Sequence, residues 1–138
     1  MTDGFETRAI HAGQLPDPAT GAVVPPITLA TTFAQSSVGV HKGFEYARSG
    51  NPTRAALEAC LASIEDGSHG LAFASGLAAE DAVLRMLAPG DHVVIPNDAY
   101  GGTFRLVARV HEPHGVAWSS VDLRDLGALG SQWRDETR

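Results

Sequence analysis

The sequence predicts an α/β fold built on a parallel sheet. Two observations carry this. From Asn51 onward, short apolar runs of strand length alternate with stretches of helical period, in the rhythm βαβαβα. Each change of period falls at a turn signal, Ser75-Gly76, Pro89-Gly90-Asp91, Asn97-Asp98 or Gly115. Consecutive units of this kind are joined by right-handed crossovers.

Length and composition set the outer bounds. The chain has 138 residues, the size of one domain, and its 43% hydrophobic content is enough to bury a core. A net charge of −6 offers no basic surface for nucleic acid. Cys60 is the only cysteine and lies on a helical pattern, so no internal disulfide forms and a reducing, cytoplasmic compartment is expected. The amino terminus is polar and acidic, and nowhere do about eighteen apolar residues run together, so no membrane partner is expected.

Residues 1–51 read as an extended arm. Pro16, Pro18, Pro25 and Pro26, with Gly13, Gly21, Gly39 and Gly43, break any period, leaving a short helix over Glu6 to His11 and an extended piece over Ile27 to Phe33. The apolar cluster Val23, Val24, Ile27, Leu29 and Phe33 argues against a solvated tail, so the arm is expected to lie on another surface.

Regular structure begins at Asn51-Pro52. Asn suits an N-cap and Pro the first helical position, predicting a helix from Pro52 to Glu65. Its apolar stripe is Ala56, Leu57, Cys60, Leu61 and Ile64, and Gly67 ends it. Leu71 to Ala74 reads as a buried strand, and the helix after it carries Leu77, Ala78, Val83, Leu84 and Leu87 on one face. His92 to Pro96 is a second strand, followed by a loop from Asn97 to Gly102 and a helix capped by Thr103. Val116 to Val121 is a third strand, and a last helix begins near Leu123 with Asp122 as its cap. Three parallel strands would leave an open edge and poorly covered faces, so more chain is expected beyond residues 52–138.

The stretch from Leu71 to Leu87 carries the chemistry. A strand passing through Ser75-Gly76 into a helix aims unpaired N–H groups, with the positive end of the helix dipole, beyond the strand's carboxyl end. Gly76 has no Cβ and lets an anion approach the backbone. Tyr100 follows the carboxyl end of the second strand on the same sheet edge, where open α/β sheets bind ligands. An ordinary βα turn and a strand-end tyrosine would use the same residues.

Four motifs resemble one family. YARSGNPTR (Tyr46 to Arg54), AFASGLAA (Ala72 to Ala79), GDHVVIPNDAYGGTFRL (Gly90 to Leu106) and VVPPI (Val23 to Ile27) are similar to the pyridoxal-phosphate enzymes of Cys/Met metabolism, the cystathionine γ-synthase and γ-lyase group. The resemblance runs over essentially the whole chain. It implies the amino-terminal part of a fold-type-I large domain, γ-elimination or γ-replacement on a small amino-acid substrate, and a homo-oligomer, a dimer of dimers. It implies that backbone N–H groups at Gly76 and Leu77 hold the cofactor phosphate, with Leu77 where the family has Met. It implies further that Tyr46 and Arg48 reach the phosphate from the adjacent subunit, and that Tyr100 stacks on the pyridine ring and takes part in proton transfer.

Leu77 for Met is a mild departure from the family; a more serious one concerns the groups that do the chemistry. The family's Schiff-base lysine follows a Ser-x-Thr loop much further along, and the only lysine here is Lys42, in the arm. Lys42 reads as a solvated surface residue, and the cofactor's aspartate and the substrate-binding arginine also have no counterpart. The chain is therefore expected to be inactive alone, as part of a longer synthase, lyase or sulfhydrylase. The alternative is a non-catalytic binding or assembly module. His111 and His114 have a metal-like spacing without a Cys or carboxylate cluster, a helix-end pair rather than a metal site. No nicotinamide-binding glycine pattern is present.

Overall fold

The computed structural model describes residues 4–138, which divide into two compact units, one through Ala72 and one from Phe73 to Arg138. In the first unit α1 (Phe5–His11) packs on α2 (Pro52–Ile64), and a hairpin of β1 (Gln35–Ser37) and β2 (Val40–His41) lies between them in sequence. The hairpin was not expected; it turns through Gly39, whose φ of 79° suits glycine.

Helix α2 starts as the sequence dictates. Asn51 is extended, its side chain accepts from the Thr53 N–H at 2.9 Å, and Pro52 takes the first turn. The expected arm is tied to this helix. Arg8 donates to Ser63 O and pairs with Asp66 at 2.5 Å, Asn51 Nδ2 donates to Thr28 O at 3.1 Å, and the Thr28 N–H donates to Thr53 Oγ1 at 2.8 Å. Gly13, at φ 73°, lies so close to α2 that a Cβ would run into Ala56 O. Cys60 is half-buried and unpaired, its thiol 3.7 Å from Ala9 O.

The second unit holds α3 (Gly76–Leu84), β3 (His92–Pro96), α4 (Gly101–Leu106), β4 (Ala117–Val121) and α5 (Leu126–Gln132). β3 and β4 pair in parallel, with Val93 opposite Trp118 and Ile95 opposite Ser120, so the expected α/β class with a parallel sheet is present. α4 continues through a π-helical turn, Val107–His111, and a 3₁₀ turn, Glu112–His114, ending at Gly115 with φ 92°. Leu84, Ile95 and Val107 form the core, with Leu87, Val93, Leu106 and Trp118 packed around it. Phe104 meets Trp118 edge-on with ring centroids 5.4 Å apart. His92 is wholly buried, with Nδ1 2.9 Å from Thr137 Oγ1 and Nε2 2.9 Å from Ser119 Oγ.

Four expectations fail. Leu71 to Ala74 is not a strand: none of the described residues offers it a ladder, and Leu71 is 77% exposed. The helix after it stops at Leu84, short of Leu87, because Arg85 and Met86 form a turn. Thr103 does not cap α4, which begins two residues earlier at Gly101 with Tyr100 in the cap position. Asp122 is bonded to Arg124 through Nε at 2.9 Å and Nη2 at 2.7 Å, leaving Asp125 to cap α5 by accepting from the Gly127 and Ala128 N–H groups. Among the described residues no helix is long and apolar enough to cross a membrane.

Candidate functional site

The Ser75-Gly76 turn has the features of an anion site. Ser75 is extended, its Oγ accepts from the Ala78 N–H at 3.1 Å, and its carbonyl accepts from the Ala79 N–H at 3.2 Å. This arrangement leaves the Gly76 and Leu77 N–H groups, on the first turn, without a partner among the described residues. A Cβ built on Gly76 would meet no atom within 4 Å, so the approach to those donors is open. Two free backbone donors at the positive end of a helix fit a phosphate dianion.

Tyr100 stands at the head of α4, after a turn in which the Asn97 N–H donates to Val121 O at 2.9 Å and the Ala99 N–H to Pro96 O at 3.2 Å. The first bond ties the turn to the end of β4. The Tyr100 side chain is 72% exposed, free to meet a planar ligand. Thr103 Oγ1 donates to Glu80 Oε2 at 2.7 Å, joining the first turn of α4 to α3. Sequence reasoning missed this pair, because 23 residues separate its members.

Tyr46 and Arg48 belong to the first unit, Gly76, Leu77 and Tyr100 to the second. Tyr46 bridges to Thr32, and its carbonyl accepts from the Ser49 and Gly50 N–H groups at 3.1 and 3.0 Å. The turn brings the Arg48 guanidinium over the Tyr46 ring, 5.0 Å from its centroid. Such a contact on a surface contributes about 0.5–1 kcal/mol. Arg48 forms no ion pair among the described residues, so its charge is free for an anion.

Lys42 is exposed and lines a small cleft with Phe33, Ala34 and Phe44. His111 is buried and bonded through Nε2 to Asp81 Oδ1 at 3.0 Å, whereas His114 Nδ1 meets Val110 O. Hydrogen bonds from Arg85 and then His111 hold the Asp81 carboxyl below the usual carboxylate range. Among the described residues no group of three or more His, Cys, Asp or Glu could hold a metal ion.

A parallel α/β unit with an open helix amino terminus and an exposed ring after β3 has the features of a phosphate-binding frame. The chain belongs to the Cys/Met metabolism PLP-dependent enzyme family, whose model matches residues 6–138. It is 60% identical over 137 residues to the cystathionine gamma-synthase of Mycobacterium tuberculosis, covering 98% of this chain and 35% of that protein. It is 56% identical over 122 residues to the cystathionine beta-lyase of Coxiella burnetii, covering 88% of this chain and 32% of that one. The fold matches the crystal structure of metB from Corynebacterium glutamicum with a TM-score of 0.94 at 45% identity, over 99% of this chain and 36% of that one. The cystathionine gamma-lyase of Lactobacillus plantarum, complexed with L-serine, matches with a TM-score of 0.89 at 46% identity, over 99% and 35% of the two chains. The chain thus spans about a third of the length of the relatives it matches.

Proposed function

We propose that this chain is the amino-terminal part of a pyridoxal-phosphate enzyme that carries out γ-elimination or γ-replacement on cystathionine-type or homoserine-derived amino acids. The open pair of donors at Gly76 and Leu77 carries the proposal. The helix terminus contributes about 0.3–1 kcal/mol, up to ~2 when partly buried. Withdrawing a dianion from water costs more, so charge-assisted bonds of about 1.5–3 kcal/mol each are needed. Arg48 supplies a planar, two-pronged donor and Tyr46 a hydroxyl, both from a neighbouring subunit. Residues 1–51 are then the arm that reaches this neighbour, and residues 52–138 the first part of the cofactor-binding domain.

When bound, pyridoxal phosphate supplies an electron sink for carbanions formed on the amino acid. Tyr100 would stack against its ring, a contact of about 0.5–1.5 kcal/mol beyond burial, and its phenol would hold or pass a proton at the hydroxyl oxygen. The lysine that holds the cofactor lies in the remainder of the longer protein, not at Lys42. The assembly is a cytoplasmic dimer of dimers.

Two inactive variants of the full-length protein test the arrangement, Arg48→Ala and one lacking the cofactor lysine. A mixed dimer regains one intact site if Arg48 acts across the interface. Recovery of cystathionine turnover after subunit exchange supports the proposal. No recovery despite demonstrated exchange places Arg48 in its own subunit's site or outside the site. A full-length protein that binds no pyridoxal phosphate would instead be a non-catalytic module.

A further inference from the structure

We propose that Gly102, Thr103 and Glu80 form a seat that fixes the Tyr100 ring and ties its turn to the helix bearing the phosphate donors. The inference rests on the reading of Tyr100 as the residue that lies on the cofactor ring, and it assigns positioning roles to three residues that do not themselves touch the cofactor.

Two independent observations carry it. The first is the space at Gly102. This residue is buried, and a Cβ built there would run into Tyr100 Cε1 and lie 2.9 Å from Cδ1 and 3.3 Å from Cζ. The Tyr100 ring therefore occupies the volume that any side chain at position 102 would fill. Gly102 has no positive φ, so backbone conformation does not require glycine; a side chain there would instead displace the Tyr100 ring from its place. An otherwise exposed aromatic ring, free to turn about two side-chain bonds, thus has one side backed by main chain.

The second observation is the Thr103–Glu80 bond. It is 2.7 Å long and half-buried, with a hydroxyl donating to a carboxylate. Glu80 lies one turn beyond Gly76 on α3, and Thr103 lies on the first turn of α4, so the bond joins the two helix starts. A sequence in which two glycines open a helix has little intrinsic reason to hold its first turn. Here the third residue fastens that turn to the neighbouring helix. Because Tyr100 O accepts from the Phe104 N–H at 3.1 Å, the same turn fixes the backbone that carries the ring.

Three variants of the full-length protein, each studied with and without pyridoxal phosphate, test the seat. Thr103→Val keeps the shape and removes the hydroxyl, Thr103→Ser restores a donor, and Gly102→Ala puts a methyl group where the ring lies. In the cofactor-free protein, amide hydrogen exchange over residues 97–103 should quicken roughly tenfold or more in Thr103→Val and return toward the parent rate in Thr103→Ser. In the loaded protein, Thr103→Val and Gly102→Ala should reduce the visible circular dichroism of the bound cofactor, while Thr103→Ser retains it. Unchanged exchange over 97–103 in Thr103→Val overturns the inference, as does faster exchange spread evenly over the whole protein. Unchanged dichroism in Gly102→Ala overturns the part played by Gly102. Failure of the parent protein to bind pyridoxal phosphate would sink the functional reading, while the exchange measurement would still decide whether the Thr103–Glu80 bond holds the turn.

Discussion

Gly76→Val separates what the fold needs from what the ligand needs. The fold makes no demand for glycine at this position: its φ is not left-handed, and a Cβ would meet nothing within 4 Å. Valine and glycine differ little in helix propensity, so the variant should keep its stability within about 0.5 kcal/mol. The cofactor should respond very differently. A branched side chain covers the approach to two backbone donors, each contributing about 1.5–3 kcal/mol to a charged acceptor. Losing both removes about 3–6 kcal/mol, and at about 1.4 kcal/mol per tenfold the apparent Kd rises on the order of a hundred- to ten-thousandfold. The assay is thermal melting of the cofactor-free full-length protein beside a visible-absorbance titration with pyridoxal phosphate. Leu77→Met is the control, since only the N–H of that residue is asked to bind, and it should behave as the parent. Equal retention of the cofactor by Gly76→Val and Leu77→Met would place the anion site elsewhere, and a large loss of stability would mean that Gly76 serves the fold.

Three further outcomes follow from the packing. Gly13→Ala combines a left-handed φ with a Cβ directed into Ala56 O and should cost more than about 2 kcal/mol, whereas Gly39→Ala, with a similar φ and open space, should cost only about 1–2 kcal/mol; denaturant midpoints compare them. Asn51→Ala removes both the cap on α2 and the bond to Thr28 O and should cost about 1–2 kcal/mol, while Asn51→Asp keeps the cap acceptor and recovers part of it. Burial, reinforced by the charge of Arg134 and opposed by Glu136, lowers the His92 pKa, so the folded state binds fewer protons than the unfolded one. The stability from keeping His92 neutral is complete above the unfolded value of about 6.5 and declines as pH falls below it, by at most about 1.4 kcal/mol per unit. Urea midpoints between about pH 7.5 and 5.5 should show this slope, and His92→Gln should flatten it.

How much of this was legible in the sequence depended on the range of the interactions. The start of α2 is written in two adjacent residues, Asn51 and Pro52, and β3 in an apolar run bounded by Asp91 and Asn97. The Ser75-Gly76 turn was equally local. Leu71 to Ala74 misled because a strand is defined by its ladder partner, and an apolar run cannot say whether one is present. Asp122 and Asp125 are equivalent as caps by residue type; the choice is made by Arg124, which engages Asp122. Two glycines at the head of α4 read as loop, and only the packing of Tyr100 over Gly102 and the bond from Thr103 to Glu80 explains why a helix starts there. The site motifs were readable residue by residue, but the contacts that hold them in place were not.

The sheet gives a reason for the position of Tyr100. β3 pairs with β4 along one edge, and at its other edge His92 makes a parallel bridge to Thr137. There the His92 N–H donates to Glu136 O at 2.8 Å and the Arg138 N–H to His92 O at 3.0 Å, the slanted pattern of a parallel ladder. β3 therefore has partners on both sides at its first residue, and buried His92 ties both through Ser119 and Thr137. β3 is held on both edges at that amino-terminal residue, and Tyr100 follows its opposite, carboxyl end by four residues, the end of a parallel sheet where ligands gather.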